Sequence, residues 1–527
     1  MTADPSGRDR PAPPLTIEGG ADDARERFAA RRVAVPASLL DRARRDGALV
    51  QEDAAARAEA GRDWWPMAIG WAASGMVPAR PAAVVRPTSA AQVAGILAAC
   101  ADDLVPVTPM GGRSGVCGGS VPLFGGIALD CTGLVGDVDV DEDSLVAAVP
   151  AGTNGRVLED VLAATGRGYT LGHRPQSIGL STVGGWLACR SAGQYSTRYG
   201  KIEDMVAGLE VALADGRVIR TGAAPRAATG PDLTQLFTGS EGVLGVITRA
   251  WLRVHPLPTG EGRRALGFPS FEAGLDACRR ILRRGVTPAV LRLYDAVESE
   301  RSFSHHDGCV LVVLDEADRH VLEASLLVVD EECAGATRLD DALVEHWLAT
   351  RDDVSALGPL WRAGVVVDTA EVSARWAALP ALARDVLHAL RALGPTVAAS
   401  VHLSHAYLDG ACLYFTFAGH HDEGRGAAPG AGVATEPATG HGPARSAVLA
   451  EAYYRRAWDV LTDVAMEAGA AISHHHGIGL NRARFLARAL GGAHDVLVCL
   501  KRALDPAGIL NPGKLGIPSP FGEVPWP

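Results

Sequence analysis

The sequence predicts an α+β chain of two domains, and three observations predict it. From residue 81 to 258, short apolar runs alternate with glycine-rich turns and helical patterns. From 259 to 460 the amphipathic patterns lengthen and glycines thin out. The 527 residues are 47% hydrophobic, enough to bury more than one core. A region rich in Ala and Arg, 1–80, precedes these two, and a segment with a histidine triplet, 461–527, follows them.

In chain order, residues 1–14 mix Pro, Asp and Arg without an apolar stretch and read as a tail, not a secretory leader. Residues 15–80 are helical in character and end in Trp64, Trp65 and Trp71, which read as packing. Ala83–Arg86 reads as a strand. Ser89, with Gln92 three positions on, forms a capping box for a helix carrying Val93, Ile96, Leu97 and Cys100. Leu104–Thr108 is the next strand and runs into Gly111–Gly115. Further strands are expected at Gly126–Asp130, Leu145–Val149 and Gly208–Leu213, and in the second domain at Val290–Tyr294 and Cys309–Leu314. Gly419–Ser446 is dominated by Gly, Ala, Pro and His and reads as a flexible loop, either a lid or an insertion pointing into solvent. A helix over Tyr453–Ala468 and a last helix, stopped by Asp505-Pro506 and Asn511-Pro512-Gly513, complete the chain.

Charge and cysteines narrow the function classes. A formal net charge of −11 argues against a broad basic footprint, so no nucleic-acid partner is expected. No apolar run reaches the roughly 18 residues of a membrane span. The nine cysteines are scattered and form no CxxC pair, which speaks against a disulfide framework and a cysteine zinc site. A reducing cytoplasm is the expected location.

Three glycine segments carry the chemistry. The first is Pro109-Met110-Gly111-Gly112-Arg113-Ser114-Gly115. Glycines let backbone approach a ligand closely, and successive N–H groups make an anion-binding nest. Alone it matches no dinucleotide or P-loop pattern. The second, Ser181-Thr182-Val183-Gly184-Gly185-Trp186, and the third, Gly239-Ser240-Glu241-Gly242-Val243-Leu244-Gly245-Val246-Ile247, lie in the same strand-rich region. Three such segments point to a large ligand bearing phosphates.

These segments, in this order and spacing, resemble the FAD-binding PCMH-type domain of vanillyl-alcohol-oxidase-type flavoproteins over 81–258. The resemblance implies two α/β subdomains clasping FAD. Pro109, Gly111, Gly112, Arg113, Ser114 and Gly115 would lie at the pyrophosphate. Gln176, Ser181, Thr182, Gly184, Gly185, Glu241, Gly242, Gly245, Val246 and Ile247 would complete the cofactor site. Members that bind FAD covalently often carry a linking histidine in the first segment. Arg113 and Ser114 stand there, so FAD is expected to be non-covalent. Asn511-Pro512-Gly513-Lys514 is similar to the segment by which members return to the FAD domain, leaving an α+β cap domain over 259–460.

Within that family, Thr170–Pro175, Tyr199–Asp204, Arg292-Leu293-Tyr294-Asp295, Gly410–Phe415 and Ser473-His474-His475-His476-Gly477 look like alkyldihydroxyacetonephosphate synthase and its bacterial relatives. Relatives acting on D-2-hydroxy acids have Gly-Glu-His at the triplet and a His-rich metal motif upstream. Here His475 replaces the Glu and Tyr414 replaces a second metal histidine, so no metal is expected. Histidine is the natural base near neutral pH, and a tyrosine within reach can orient a substrate or move a proton. His474, His475, His476 and Tyr414 are therefore the catalytic candidates. Arg292, in an apolar strand, needs an anionic partner: a substrate phosphate or carboxylate, or an internal ion pair. Gln176 stands where the synthase has Asp, and the synthase's midchain arginine has no counterpart around Val354–Arg362. FAD binding is untouched by those departures, but the ether-lipid substrate does not follow. Two chemistries stay open: synthase-like, non-redox use of flavin N5 on a small phosphorylated or carboxylated substrate, and hydride transfer from a 2-hydroxy acid or other alcohol. A homodimer is the expected assembly.

Overall fold

The computed structural model describes residues 13, 15–222, 224–352, 357–420 and 443–526. The loop expected at Gly419–Ser446 lies almost wholly outside them. The chain divides into two units, one of residues 1–192, 201–257 and 475–527, the other of 193–200 and 258–474.

In the first unit, the strands Leu49–Gln51, Ala83–Arg86, Ile127–Asp130 and Val107–Met110 form one sheet in that order, the last three parallel. A second sheet, antiparallel throughout, orders Val218–Gly222, Val206–Ala212, Val246–Arg253, Val146–Pro150 and Asp139–Asp141. These are the two subdomains the resemblance implied. Ser89 accepts from the Gln92 N–H and starts the helix Ala90–Asp102. The Gln92 side chain, however, accepts from the Thr88 N–H, one residue earlier than a capping box requires. The strand expected at Leu104–Thr108 starts later, at Val107, because Leu104 turns at φ 51°. Residues 15–80 are less helical than their composition suggests. Short helices at Ala37–Arg45, Ala54–Glu59 and Pro66–Ala72 alternate with strands at Arg25–Glu26, Leu49–Gln51 and Met76–Val77. Trp65 and Trp71 are fully buried and meet Trp526 edge-to-face at 5.0 and 5.7 Å, so the N-terminal region packs against the end of the chain.

The second unit is built on a seven-stranded antiparallel sheet. Its order is Thr337–Arg338, Gly260–Phe268, Cys309–Ala317, Val290–Tyr294, Thr396–Ala406, Gly410–His420, Val365–Arg375. The helices Phe271–Arg283, Arg319–Glu332 and Leu379–Arg391 pack on it. Gly274 lets the first of these close onto Leu293, since a Cβ there would lie 2.4 Å from a Leu293 methyl. Leu293 and Arg292 are neighbours on a strand and point to opposite faces, which leaves the Arg292 face for the polar side chains described below. Among the described residues, no helix is long and apolar enough to cross a membrane.

Candidate active site

The glycine segments of the first unit converge. A Cβ on Gly111 would lie 2.4 Å from Thr182 Oγ1, and one on Gly112 would lie 2.0 Å from the Leu180 carbonyl. Gly184 is less tight, a Cβ there lying 3.0 Å from Ala151 Cβ, and Gly242, at φ 75°, sits on the Pro109 ring. Thr182 caps the helix Val183–Cys189 through the Gly185 N–H. Arg113 takes φ 56°, and its guanidinium donates to the Glu59 carbonyl. Ser114 is half-buried and Gly115 exposed beside it. Ser181 is committed internally: its hydroxyl donates to Ser177 and accepts from Trp186 Nε1 at 2.7 Å. Gly245 packs on Val211, and Val246 and Ile247 open a central strand. Gln176 is exposed and joins none of these contacts.

The C-terminal segment adds what the glycine segments lack. Val107 pairs with Leu510 in a parallel bridge, and Asn511 Nδ2 donates to the carbonyls of Gly119 and Glu241. Glu241 accepts from the Ile478 and Gly479 N–H groups. Lys514 Nζ donates to the Val121 carbonyl. Burial raises the Glu241 carboxyl above its ordinary range, pushes Asp63 up to about 7 and pulls Lys514 down to about 8. Asp63, Glu241 and Lys514 are thus a buried charge cluster around the loops; Asp63, from a region read only as packing, was missed in the sequence.

Buried polar atoms without partners remain in this unit. They include Thr153 Oγ1, Ser120 Oγ and both amide atoms of Asn481, whose backbone N–H donates to the Cys117 carbonyl beside the first glycine segment. Buried polar groups are rarely left unpaired. A glycine-walled cradle with spare donors and acceptors fits a cofactor carrying a pyrophosphate.

The second unit holds the side-chain chemistry on one sheet face. Opposed residues on neighbouring antiparallel strands share a face, and the register sets Tyr294 opposite His402, His402 opposite Tyr414, and Tyr414 opposite Glu371. Arg292 and Thr369 lie two residues along from members of that row and share its face. The register slips between Leu403 and His405, so His405 comes opposite Cys412. That bulge turns His405 to the same face as His402, although it lies an odd three positions along the strand.

Two networks result. Tyr407 Oη lies 3.1 Å from His474 Nε2 and 3.1 Å from Ser196 Oγ, which lies 2.7 Å from His405 Nδ1. The His405 and His474 rings stack at 5.0 Å. Glu371 accepts from the His474 N–H and the Ser473 hydroxyl, fixing the start of the triplet. The second network joins Arg292 to His402 at 2.8 Å and His402 to Glu298 at 2.7 Å. Tyr414 stacks on His402 at 4.9 Å and accepts from Thr369 Oγ1; desolvation pushes its hydroxyl well above 10.

The structure therefore gives Arg292 an internal partner, an imidazole backed by a carboxylate. Tyr414 stacks on His402, and Tyr407 is hydrogen-bonded to His474 of the triplet. His474 is buried; His475 and His476 are half-buried, with ring centroids 4.4 Å apart. Ser196, Glu298, Glu371, His402, His405 and Tyr407 were missed in the sequence. The spacing His402-x-x-His405-x-Tyr407 was the available signal.

Residues 81–222 match the FAD binding domain, and 263–515 match the C-terminal domain of FAD linked oxidases. An uncharacterized FAD-linked oxidoreductase of Escherichia coli O157:H7, YgcU, is 31% identical, the match covering 82% of this chain and 89% of that one. Alkyldihydroxyacetonephosphate synthase of Dictyostelium discoideum is 28% identical over 84% of this chain and 74% of that one. A solved alkyldihydroxyacetonephosphate synthase structure shares the fold, with a TM-score of 0.73, 24% identity, and coverage of 96% of this chain and 89% of that one.

Proposed function

The chain belongs to the FAD-linked oxidases and is an FAD-dependent enzyme; from that premise we propose that it acts on a small anionic substrate, phosphorylated or carboxylated, through an imidazole base of the 474–476 triplet. When bound, FAD supplies an electrophilic N5 that accepts either a hydride or a substrate carbon. The rest of the proposal concerns this chain's own side chains.

The hydrogen bond between Tyr407 Oη and His474 Nε2 carries the reading. It holds an imidazole of the triplet within a buried network of Ser196 and His405, where a proton taken from substrate has hydroxyl and imidazole partners. His475, next in sequence, is the base, and Tyr414 an orienting group. Arg292 anchors the anion, and its buried Nε carries no partner among the described residues. FAD is held non-covalently by the cradle, since Arg113 and Ser114 occupy the place of a linking histidine.

Synthase-like chemistry, in which the base removes a proton and the flavin is not consumed as an oxidant, is the first reading. It draws support from the similarity to alkyldihydroxyacetonephosphate synthase. Hydride transfer from an alcohol is the second, favoured by the similarity to an FAD-linked oxidoreductase. Anaerobic mixing of the holoenzyme with acyl esters of dihydroxyacetone phosphate, glycerol 3-phosphate and 2-hydroxy acids separates them. The synthase reading expects a transient change in the flavin spectrum with no net reduction. Persistent two-electron bleaching moves the enzyme to the second reading, and no spectral response to any of these anions would overturn both.

A further inference from the structure

We infer that Glu298 and His402 are positioning residues that preset the Arg292 guanidinium as an anion clamp on the sheet face; this rests on the reading of Arg292 as the substrate's anchor. The argument starts from the arginine, which can only donate. Its Nη2 lies 2.8 Å from His402 Nε2, so Nε2 accepts and the ring proton is on Nδ1. Nδ1 then donates to Glu298 Oε2 at 2.7 Å. One tautomer satisfies both contacts, and the carboxylate selects it.

Every part of the relay is held. Glu298 lies in the first turn of the helix Ala296–Phe303, and its Oε1 accepts from Ser400 at 2.8 Å and Thr416 at 3.2 Å and faces Arg301 at 3.3 Å. Glu298 and His402 are both buried. Tyr414 and Tyr294 flank the imidazole at 4.9 and 5.2 Å, fixing the ring plane. Arg292 also lies 5.8 Å over the Trp347 ring. Burial, reinforced by the Arg292 charge, keeps His402 neutral against the pull of Glu298. Among the described residues the Arg292 Nε–H is buried without a partner, and an acceptor for it is what an anionic substrate brings.

The carboxylate's role differs from simple packing in one way. In the Glu298→Gln variant the amide can donate to Nδ1, which moves the ring proton to Nε2 and sets a donor against Arg292. The probe is glycerol 3-phosphate titrated calorimetrically into the FAD-loaded enzyme, alongside ¹⁵N-histidine spectra that read the tautomer. The expected wild-type result is a neutral His402 carrying its proton on Nδ1. Glu298→Gln should switch the tautomer and weaken the probe at least about tenfold, the loss of one hydrogen bond to a charged group. His402→Gln, which keeps an acceptor for Arg292, should bind better than His402→Leu, although both break the bond to Glu298. An Nε2–H tautomer in the wild type, unchanged binding in Glu298→Gln, or equal binding by the two His402 variants would overturn the inference. If Arg292→Gln binds the probe as the wild type does, or the wild type does not bind it, the anchor reading itself fails; the tautomer result reports on the relay separately.

Discussion

The two units solve different problems with different parts of the chain. The cradle we propose for the cofactor is made of backbone: glycines that admit close approach, N–H groups collected by Glu241, and a C-terminal return tied down by Asn511 and Lys514. The face we propose as reactive in the second unit is made of side chains, with Arg292, His402, His405 and Tyr414 displayed by strand register. Binding a large cofactor asks for shape and donors that are always present. Proton transfer asks for a few titratable groups held at fixed distances.

Breaking the cradle should have the largest effect. A Cβ at Gly112 would meet the Leu180 carbonyl at 2.0 Å, and backbone cannot swing aside as a side chain can. Gly112→Ala is expected to purify without its flavin absorbance and with a lowered melting temperature, an overpacking cost of about 1–3 kcal/mol. Gly179, with nothing within 4 Å of its Cβ, supplies the control, and Gly179→Ala should keep full FAD content.

A smaller effect concerns the buried charges of the same unit. Burial raises Asp63 from 3.8 to about 7. A carboxyl with a raised folded-state pKa contributes stability that is fully present below its ordinary value and lost as pH climbs to its folded one. Between about pH 4 and pH 7 the wild type should therefore lose on the order of 2–4 kcal/mol relative to Asp63→Asn. Denaturant titrations of both proteins across that range check it, and parallel curves would show that Asp63 ionises freely.

No effect at all is expected from chelation. The metal-free expectation rests on His475 and Tyr414, and the stacked His405 and His474 rings are imidazoles it did not count. Dialysis against EDTA should leave turnover unchanged, whereas stoichiometric zinc or manganese lost together with activity would contradict it.

The close packing of the glycine segments, the proposed cradle, was foreshadowed in sequence because its parts are local. Gly111–Gly115, Thr182–Gly185 and Glu241–Ile247 each announce themselves within a few residues. Strands whose ends are set by local chemistry were legible too, such as Ala83–Arg86 and Val290–Tyr294. The polar face of the second unit, proposed as reactive, was only half foreshadowed. Arg292, Tyr414 and the triplet stood out by residue type. Their partners did not, because those pairings depend on long-range register. His405 reaches the face only through a bulge, which plain strand alternation does not reveal. Ser196 belongs to an eight-residue stretch, 193–200, that leaves the surrounding first unit to join the second. Glu298 meets His402 across 104 residues of sequence.

The central claim is that the first unit holds FAD while the histidine network does the chemistry, and His474→Asn tests it most directly. FAD content and turnover are measured in one preparation, with whichever substrate perturbs the wild-type flavin spectrum. The account predicts a full complement of FAD and turnover lowered by about 10²-fold or more, the scale of a lost general base or its partner. Turnover within twofold of the wild type at full FAD content would contradict it.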